Sequence, residues 1–491
     1  MQLFFGQCRA ARRYPLAAWI IVCALFSERA PALGLAFSVE SIVGDDWRVE
    51  GVSVAAGSER PGRYALDVSV GTVRLPGEYG TLSGIHLSCD PVRRDGDGWT
   101  CPAGRLSSDS SPIGVQEAEW SGRWTHDGRL NLEVPRLRVA NGELSATLEY
   151  QAAGWTLDIA AHRVSVDAAH RLSEARIVPA DWTLDGYANG RLRLQGVESI
   201  GQADLELVVD GMAFASPDGT QAAEDLVLRV DLATRVQGDQ WRFDGNLRWP
   251  TGALYSEPLF VDAGEAPLTI DLTGVFEPAR GRLQLDSAAA SIQQAFTLTG
   301  AGRFTLDPWS VRDMTLAAHS DDAGTAFGLL LQPFLIGTPA DDLEVAGQVG
   351  FVLHFDERGI EQAGLSLNRL SAVDRRGRFA LHPSDGSVAW QRAGSGSVSS
   401  LTTEGVSLFA LRSGAFAADA RFVGDQLTLI SPIVVPVLGG EVALDAFTLS
   451  GALVEGASPT WSASASVAAI SLDQLTRELQ WPPFSGSLSA E

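Results

Sequence analysis

The sequence contains no lysine; its 37 basic residues are all arginine. A phosphate-cradling P-loop needs a lysine on the terminal phosphates, so that chemistry is excluded. The arginine-only usage reads as codon bias in a GC-rich genome, not as recognition chemistry. Histidine is scarce, at 7 residues, and scattered, with no H-E-x-x-H for zinc. The nucleophile-elbow motif G-x-S-x-G is missing as well. Basic residues are outnumbered by 60 acidic ones, which leaves a net charge of −23. A nucleic-acid backbone would be repelled by that field, so no nucleic-acid partner is expected. Helical periodicity is also rare, and more than a hundred residues pass between one short helical stretch and the next.

What is present is alternation. Apolar residues make up 45% of the chain and charged residues 20%, enough to build a core rather than a disordered chain. Leu205, Leu207 and Val209 alternate with polar neighbours, as do Leu226, Leu228 and Val230. The same period returns at Phe243 and Leu247, then at Leu268, Ile270 and Leu272. A period of two places one face of each strand on apolar material and the other in water. Turn signals such as Ala140-Asn-Gly142 separate the runs, which predicts antiparallel hairpins. The fold class expected is mainly β: a long, curled antiparallel sheet forming an elongated groove, with a few short helices.

The N-terminus carries Arg9, Arg12 and Arg13, then an apolar run from Leu16 to Phe26 and small residues at Ala30-Pro-Ala32. That order is expected of an export signal cleaved after Ala32. As a helix the run rises only about 17 Å, against a hydrocarbon core of about 30 Å. An uncleaved membrane anchor and an ordinary N-terminus are the alternatives. Cys8 and Cys23 fall in this segment, leaving Cys89 and Cys101 in the mature chain. In an exported protein the pair is expected to form a disulfide across a hairpin; two unpaired, half-buried thiols are the alternative.

A short helix-like stretch recurs at nearly even spacing. Val164-Ser-Val-Asp167, Leu316-Ala-Ala-His-Ser-Asp321 and Ile470-Ser-Leu-Asp473 each lead into one, and the starts lie about 153 residues apart. The middle copy is the weakest. Asp167 and Asp473 stand where helix N-caps are expected. The organisation predicted is a signal or anchor over 1–32, a β region with the disulfide hairpin over 33–163, and β-groove repeats over 164–316 and 317–469. Residues 470–491 read as the start of a further, truncated repeat, and the natural protein is expected to continue.

No catalytic constellation stands out, so no enzyme is expected. Asp95-Gly-Asp-Gly98 resembles part of a calcium loop but lacks the remaining ligands, and a hairpin turn is the simpler reading. Asp321-Asp322 and Asp341-Asp342 offer paired carboxylates, though at positions where helix and loop ends need caps. His354 alternates with Phe351 and Phe355 and is expected on the opposite, solvent face. Neither a metal site nor a cofactor is predicted. The 13 tryptophans either line a lipid path or pack the sheet. A sheet with one apolar face must cover it. Curled around that face, it leaves a groove suited to acyl chains; packed shut, it makes a pair of sandwiches.

The element Ile470-Ser-Leu-Asp-Gln-Leu, then Trp481-Pro-Pro-Phe-Ser-Gly-Ser-Leu-Ser489, resembles the repeating element of AsmA-like envelope proteins. The export signal, the Cys89–Cys101 hairpin ahead of Gly104-Arg-Leu106, Trp182-Thr-Leu-Asp-Gly186 and Val437-Leu-Gly-Gly-Glu-Val442 are most similar to its YdbH-like branch, which is related to TamB. The resemblance spans most of the chain after residue 35. It implies a repeating β-groove protein in the periplasm or cell envelope of a Gram-negative bacterium. Its partners would be phospholipid acyl chains, the inner membrane and an outer-membrane partner. The branch also carries a dicarboxylate-transport label, for which this sequence offers no supporting residues. The function expected is binding or conducting phospholipid along the groove; the alternative is an exported structural or adhesion-type β-protein with no conduit.

Overall fold

The computed structural model describes residues 34–43, 48–60, 63–74, 81–110, 117–172, 179, 181–197, 199–292, 295–306, 308–452 and 458–490. The expected export segment, with the cleavage point after Ala32, lies outside these residues. Among these residues the protein is mainly β, 74% strand and 7% helix, antiparallel and not closed into a barrel, with four short α-helices. It divides into two compact units, residues 1–254 with 275–281, and residues 255–274 with 282–491.

In the first unit twelve strands, from Leu35–Val43 to Gln221–Gln237, follow one another as an up-and-down meander. Each pairs antiparallel with the next in sequence. The turns are those that the sequence marks. Ala140 and Asn141 both have positive φ, at 50° and 60°. That is the geometry of a two-residue hairpin turn, which Asn tolerates.

The second unit begins its meander at Arg282–Ile292 and runs in sequence order to Phe379–Gln391. There the order breaks. Phe379–Gln391 pairs along one stretch with Val398–Thr403 and along another with Val406–Leu408. Its end runs parallel to Phe416–Val423 for two residue pairs, an exception to the antiparallel rule.

A buried pair fastens this unit. Asp374 is 1% exposed. Arg378 grips it twice, Nε to Oδ2 and Nη2 to Oδ1, both at 2.8 Å, and the Arg378 backbone N–H donates to Oδ2 at 2.9 Å. Arg378 Nη2 also donates to the Pro339 carbonyl at 2.7 Å, tying the strand connection to the segment after the helices. The guanidinium's hydrogen bonds hold the Asp374 carboxyl well below its ordinary value of 3.8. A carboxyl lowered on folding stabilises the fold above its unfolded pKa, and that contribution is lost as pH falls toward the folded value. Below about pH 4, then, the wild-type denaturant midpoint should fall more steeply than that of Asp374→Asn, which has no carboxylate to protonate. Urea titrations at pH 7 and pH 3 check this; parallel losses in both proteins would contradict it.

The helices are Val166–Leu172, Ala323–Leu330, Gln332–Leu335 and Leu472–Glu478. They occupy the three places where the sequence suggests them, but two of the caps differ. Asp167 and Asp473 lie inside the first turn, and serines two residues earlier do the capping. Ser165 Oγ accepts from the Ala168 N–H at 3.2 Å, and Ser471 Oγ from the Gln474 N–H at 3.3 Å. A hydroxyl at the N-cap reaches the N–H three residues on. The aspartates sit instead against the positive helix end and reach forward one turn, to Arg171 and Arg477. Ser471→Ala should therefore cost about 1 kcal/mol locally, whereas Asp473→Ala should cost less. Amide hydrogen exchange over 472–478 should show the difference.

Candidate hydrophobic face

Directly opposed residues in an antiparallel ladder point to the same side of the sheet. Their registers therefore trace a face without reference to the shape of the whole. In the first unit one file starts Phe37, Val54, Val68, Leu87, Leu106, Ala118, each directly opposite the next. It continues without a break through Leu137, Leu144, Ala161, Gly190, Leu207 and Val230. Twelve strands thus carry a single apolar line. A parallel file alongside it runs Val134, Ala146, Ile159, Leu192, Leu205, Leu232.

The other side is polar. Glu133, Thr147, Asp158, Arg193 and Asp204 form one file on it. Asp158 is bridged by Arg191 at 2.5 Å and Arg193 at 3.3 Å. The Arg191 hydrogen bond, with the charge of both arginines, lowers the Asp158 pKa. Arg191 and Arg193 flank Leu192 in sequence, so the period of two switches from charge to hydrocarbon at every residue.

Most of the apolar face is only half-buried. Leu205, Leu207, Val209, Leu228 and Val230 keep part of their surface, while Leu226 is 5% exposed. These six residues do come together. Leu207 opposes Val230, Val209 opposes Leu228, and Met212 opposes Leu226. Phe243 and Leu247 lie half-buried on Gln240–Ser256, alternating with exposed Arg242, Asp244 and Arg248. Leu268, Ile270 and Leu272 lie on Leu268–Glu277, in the second unit.

The second unit has its own apolar file: Ala290, Leu298, Ala318, Phe351, Leu365, Val388. Its last three members are 40%, 37% and 38% exposed, so here hydrocarbon meets solvent on three adjacent strands. That is more than scattered surface leucines would give. His354 is on the opposite side from Phe351 and Phe355, as its spacing suggests, and its Nδ1 pairs with Thr315 Oγ1 at 3.1 Å.

Close backbone approach shapes the second unit. Ala469 (φ 55°) and Arg369 (φ 47°) are left-handed residues within strands, and a glycine on the neighbouring strand faces each. A Cβ on Gly347 would lie 2.5 Å from the Arg369 carbonyl oxygen, and one on Gly440 would lie 2.3 Å from that of Ala468. Such bulges bend a strand and increase its twist. They give Gly347 and Gly440 a reason to lack a side chain within a strand.

A small dry cluster lies around the cysteines. Cys89 and Cys101 form a disulfide and are 1% and 0% exposed, packed with Val92 and Trp120. Tyr64, Trp99 and Trp124 close around them, Tyr64 edge-on to Trp99 at 4.9 Å. These tryptophans pack the sheet. Trp249 and Trp390 are likewise fixed, each donating its indole N–H to a backbone carbonyl. Asp95 and Gly98 close a hairpin through Gly96-Asp97, as the turn reading has it. Asp322 caps the helix Ala323–Leu330 by accepting from the Gly324 and Thr325 N–H groups. Among the described residues no group of three or more His, Cys, Asp or Glu could hold a metal ion. No helix there is long and apolar enough to cross a membrane, which says nothing of a β-barrel.

No known family model and no curated protein matches the chain.

Proposed function

We propose that this protein binds phospholipid acyl chains along its apolar sheet face and conducts them within the cell envelope of a Gram-negative bacterium. The observation that carries this reading is the unbroken file from Phe37 to Val230, half-buried along most of its length and backed by a charged face. A globular sandwich would cover such a file with a second layer. An acyl chain covers it equally well, at about 0.8 kcal/mol for each CH₂ removed from water. The reading agrees with the AsmA-like resemblance and makes the protein a carrier rather than an enzyme. A periplasmic location, with the inner membrane on one side and an outer-membrane partner on the other, is part of the same proposal.

Photocrosslinking residues placed at Leu207, Leu228 and Ile270 test it in the full chain. Labelled phospholipid at these positions, and its absence from a probe placed at Glu206 on the polar face, is the expected result. Crosslinks to protein alone, with no co-purifying phospholipid, would favour an exported structural or adhesion-type β-protein.

A further inference from the structure

The first and last helix units are the same structure built twice. Strand pairing matches position for position: Glu143 opposes His162 where Glu441 opposes Ala468, and Leu144 opposes Ala161 where Val442 opposes Val467. The Ser165 N–H donates to the Ala140 carbonyl as the Ser471 N–H does to Leu438. The left-handed residues Arg163 and Ala469 each direct the backbone N–H to a side chain on the following strand, Asn189 Oδ1 at 2.9 Å and Ser489 Oγ at 3.2 Å. The correspondence pairs Ala168 with Gln474, Arg171 with Arg477 and Arg138 with Pro436.

At two of these places the copies diverge in one spot. In the last unit the Gln474 amide lies over the hairpin turn, 3.2 Å from where a Cβ on Gly439 would stand. In the first unit Ala168 leaves that space open, and a cavity of about 550 Å³ lies between hairpin and helix. Val139, Ala168 and Leu172 supply apolar walls, and Arg138, Arg171 and Glu143 supply charge. Glu143 is bridged by Arg136 at 3.4 Å, and Arg171 is paired with Asp167. Arg138, which stands where the other copy has proline, has no ion-pair partner among the described residues. Arg138 and Arg171 both border this open cavity, and Glu143 stands directly opposite Arg138 on the ladder but is bridged to Arg136 instead. Guanidinium forks match phosphate oxygens, two bonds to a group.

We infer that this cavity is a binding site for a phosphate group carried on a small or amphiphilic molecule, held by Arg138 and Arg171. The inference does not rest on the conduit reading. The phosphate could belong to a lipid headgroup or to a soluble phosphate compound, and the probes separate these sources.

Isothermal titration of the full chain with dihexanoyl phosphatidylglycerol, glycerol 3-phosphate and inorganic phosphate is the test. Saturable binding of at least one probe is expected, weakened about tenfold or more by Arg138→Gln and by Ala168→Gln. The second variant refills the cavity with the residue its counterpart already accommodates, and Arg138→Lys, which keeps the charge but loses the fork, should bind more weakly than wild type and more tightly than Arg138→Gln. Binding of the short-chain lipid alone assigns the site to a headgroup, and equal binding of all three assigns it to free phosphate. No saturable binding, or binding that both variants leave unchanged, would overturn the inference. Leu207→Asp should leave the Arg138-dependent part of this binding intact, so failure of the conduit reading and failure of this one are separable.

Discussion

Leu207→Asp should strip co-purifying phospholipid from the protein by tenfold or more while leaving the strand in place. Leu207 lies directly opposite Gly190 on one side and Val230 on the other. The glycine presents no side chain, so Leu207 is the larger group at that point in the file. Removing its contact with an acyl chain forfeits about 1.5–3 kcal/mol, and each 1.4 kcal/mol is a factor of ten in retention. A carboxylate adds to the loss, because it would have to give up water wherever the chain lies over it. The fold should tolerate the change, since Leu207 is half-exposed without lipid. The control is one residue away: Glu206 faces the polar side, opposite Arg191 and Asp231. Glu206→Gln should leave lipid content unaltered. Phospholipid measured by mass spectrometry per mole of protein, with circular dichroism for folding, decides the matter. Equal lipid in Leu207→Asp and wild type would mean that the file is not where acyl chains lie.

The contrast between Leu207 and Glu206 also shows why this fold is legible in its sequence. A β-strand writes its two faces into alternate residues, so the apolar side of Ile200–Ala215 can be read without coordinates. What alternation cannot state is register. Nothing local says that Ala161 and Gly190 continue a file of leucines and valines, because both are small and neither looks like part of a face. Phe37, Val54 and Val68 carry the same period-two signal and extend the face back to the first described strand. Phe351, Leu365 and Val388 do so in the second unit, but across strands whose pairing only the structure supplies.

Caps and bulges were hidden for a different reason. Ser and Asp both suit a helix N-cap, and Ser165-Val-Asp167 and Ser471-Leu-Asp473 offer both two residues apart. The choice falls to the serines because the strands run through them. The N–H groups of Ser165 and Ser471 are still held by the preceding hairpin turns, which fixes the first helical residue just beyond. The glycines against Ala469 and Arg369 look like ordinary strand glycines until the neighbouring backbone is in view. The buried Asp374–Arg378 pair gave no signal at all, since an Asp and an Arg four residues apart are common on any surface.

Replacing both cysteines, Cys89→Ala with Cys101→Ala, should lower the stability of the first unit by about 3 kcal/mol, the value for closing a loop of roughly this length. The bond joins Thr81–Asp95 to Gly98–Ser110 with 12 residues of separation. It lies where the neighbouring ladder slips, between Cys101 opposite Gly122 and Gly104 opposite Trp120. A register slip leaves backbone groups unpaired, so the covalent link holds the hairpin where hydrogen bonding is weakest. The apolar file passes two residues from Cys89, through Leu87 and its opposite Leu106. Loosening the hairpin should therefore weaken lipid retention as well as folding. Trp99, Trp120 and Trp124 surround the bond and contribute three of the chain's 13 tryptophans to the fluorescence change on unfolding. Denaturant titrations of wild type with and without reductant, beside the double variant, should place the reduced and substituted proteins together, below the oxidised one. Coincident midpoints for all three would mean that the packing of these aromatic rings, rather than the covalent loop, fixes the hairpin.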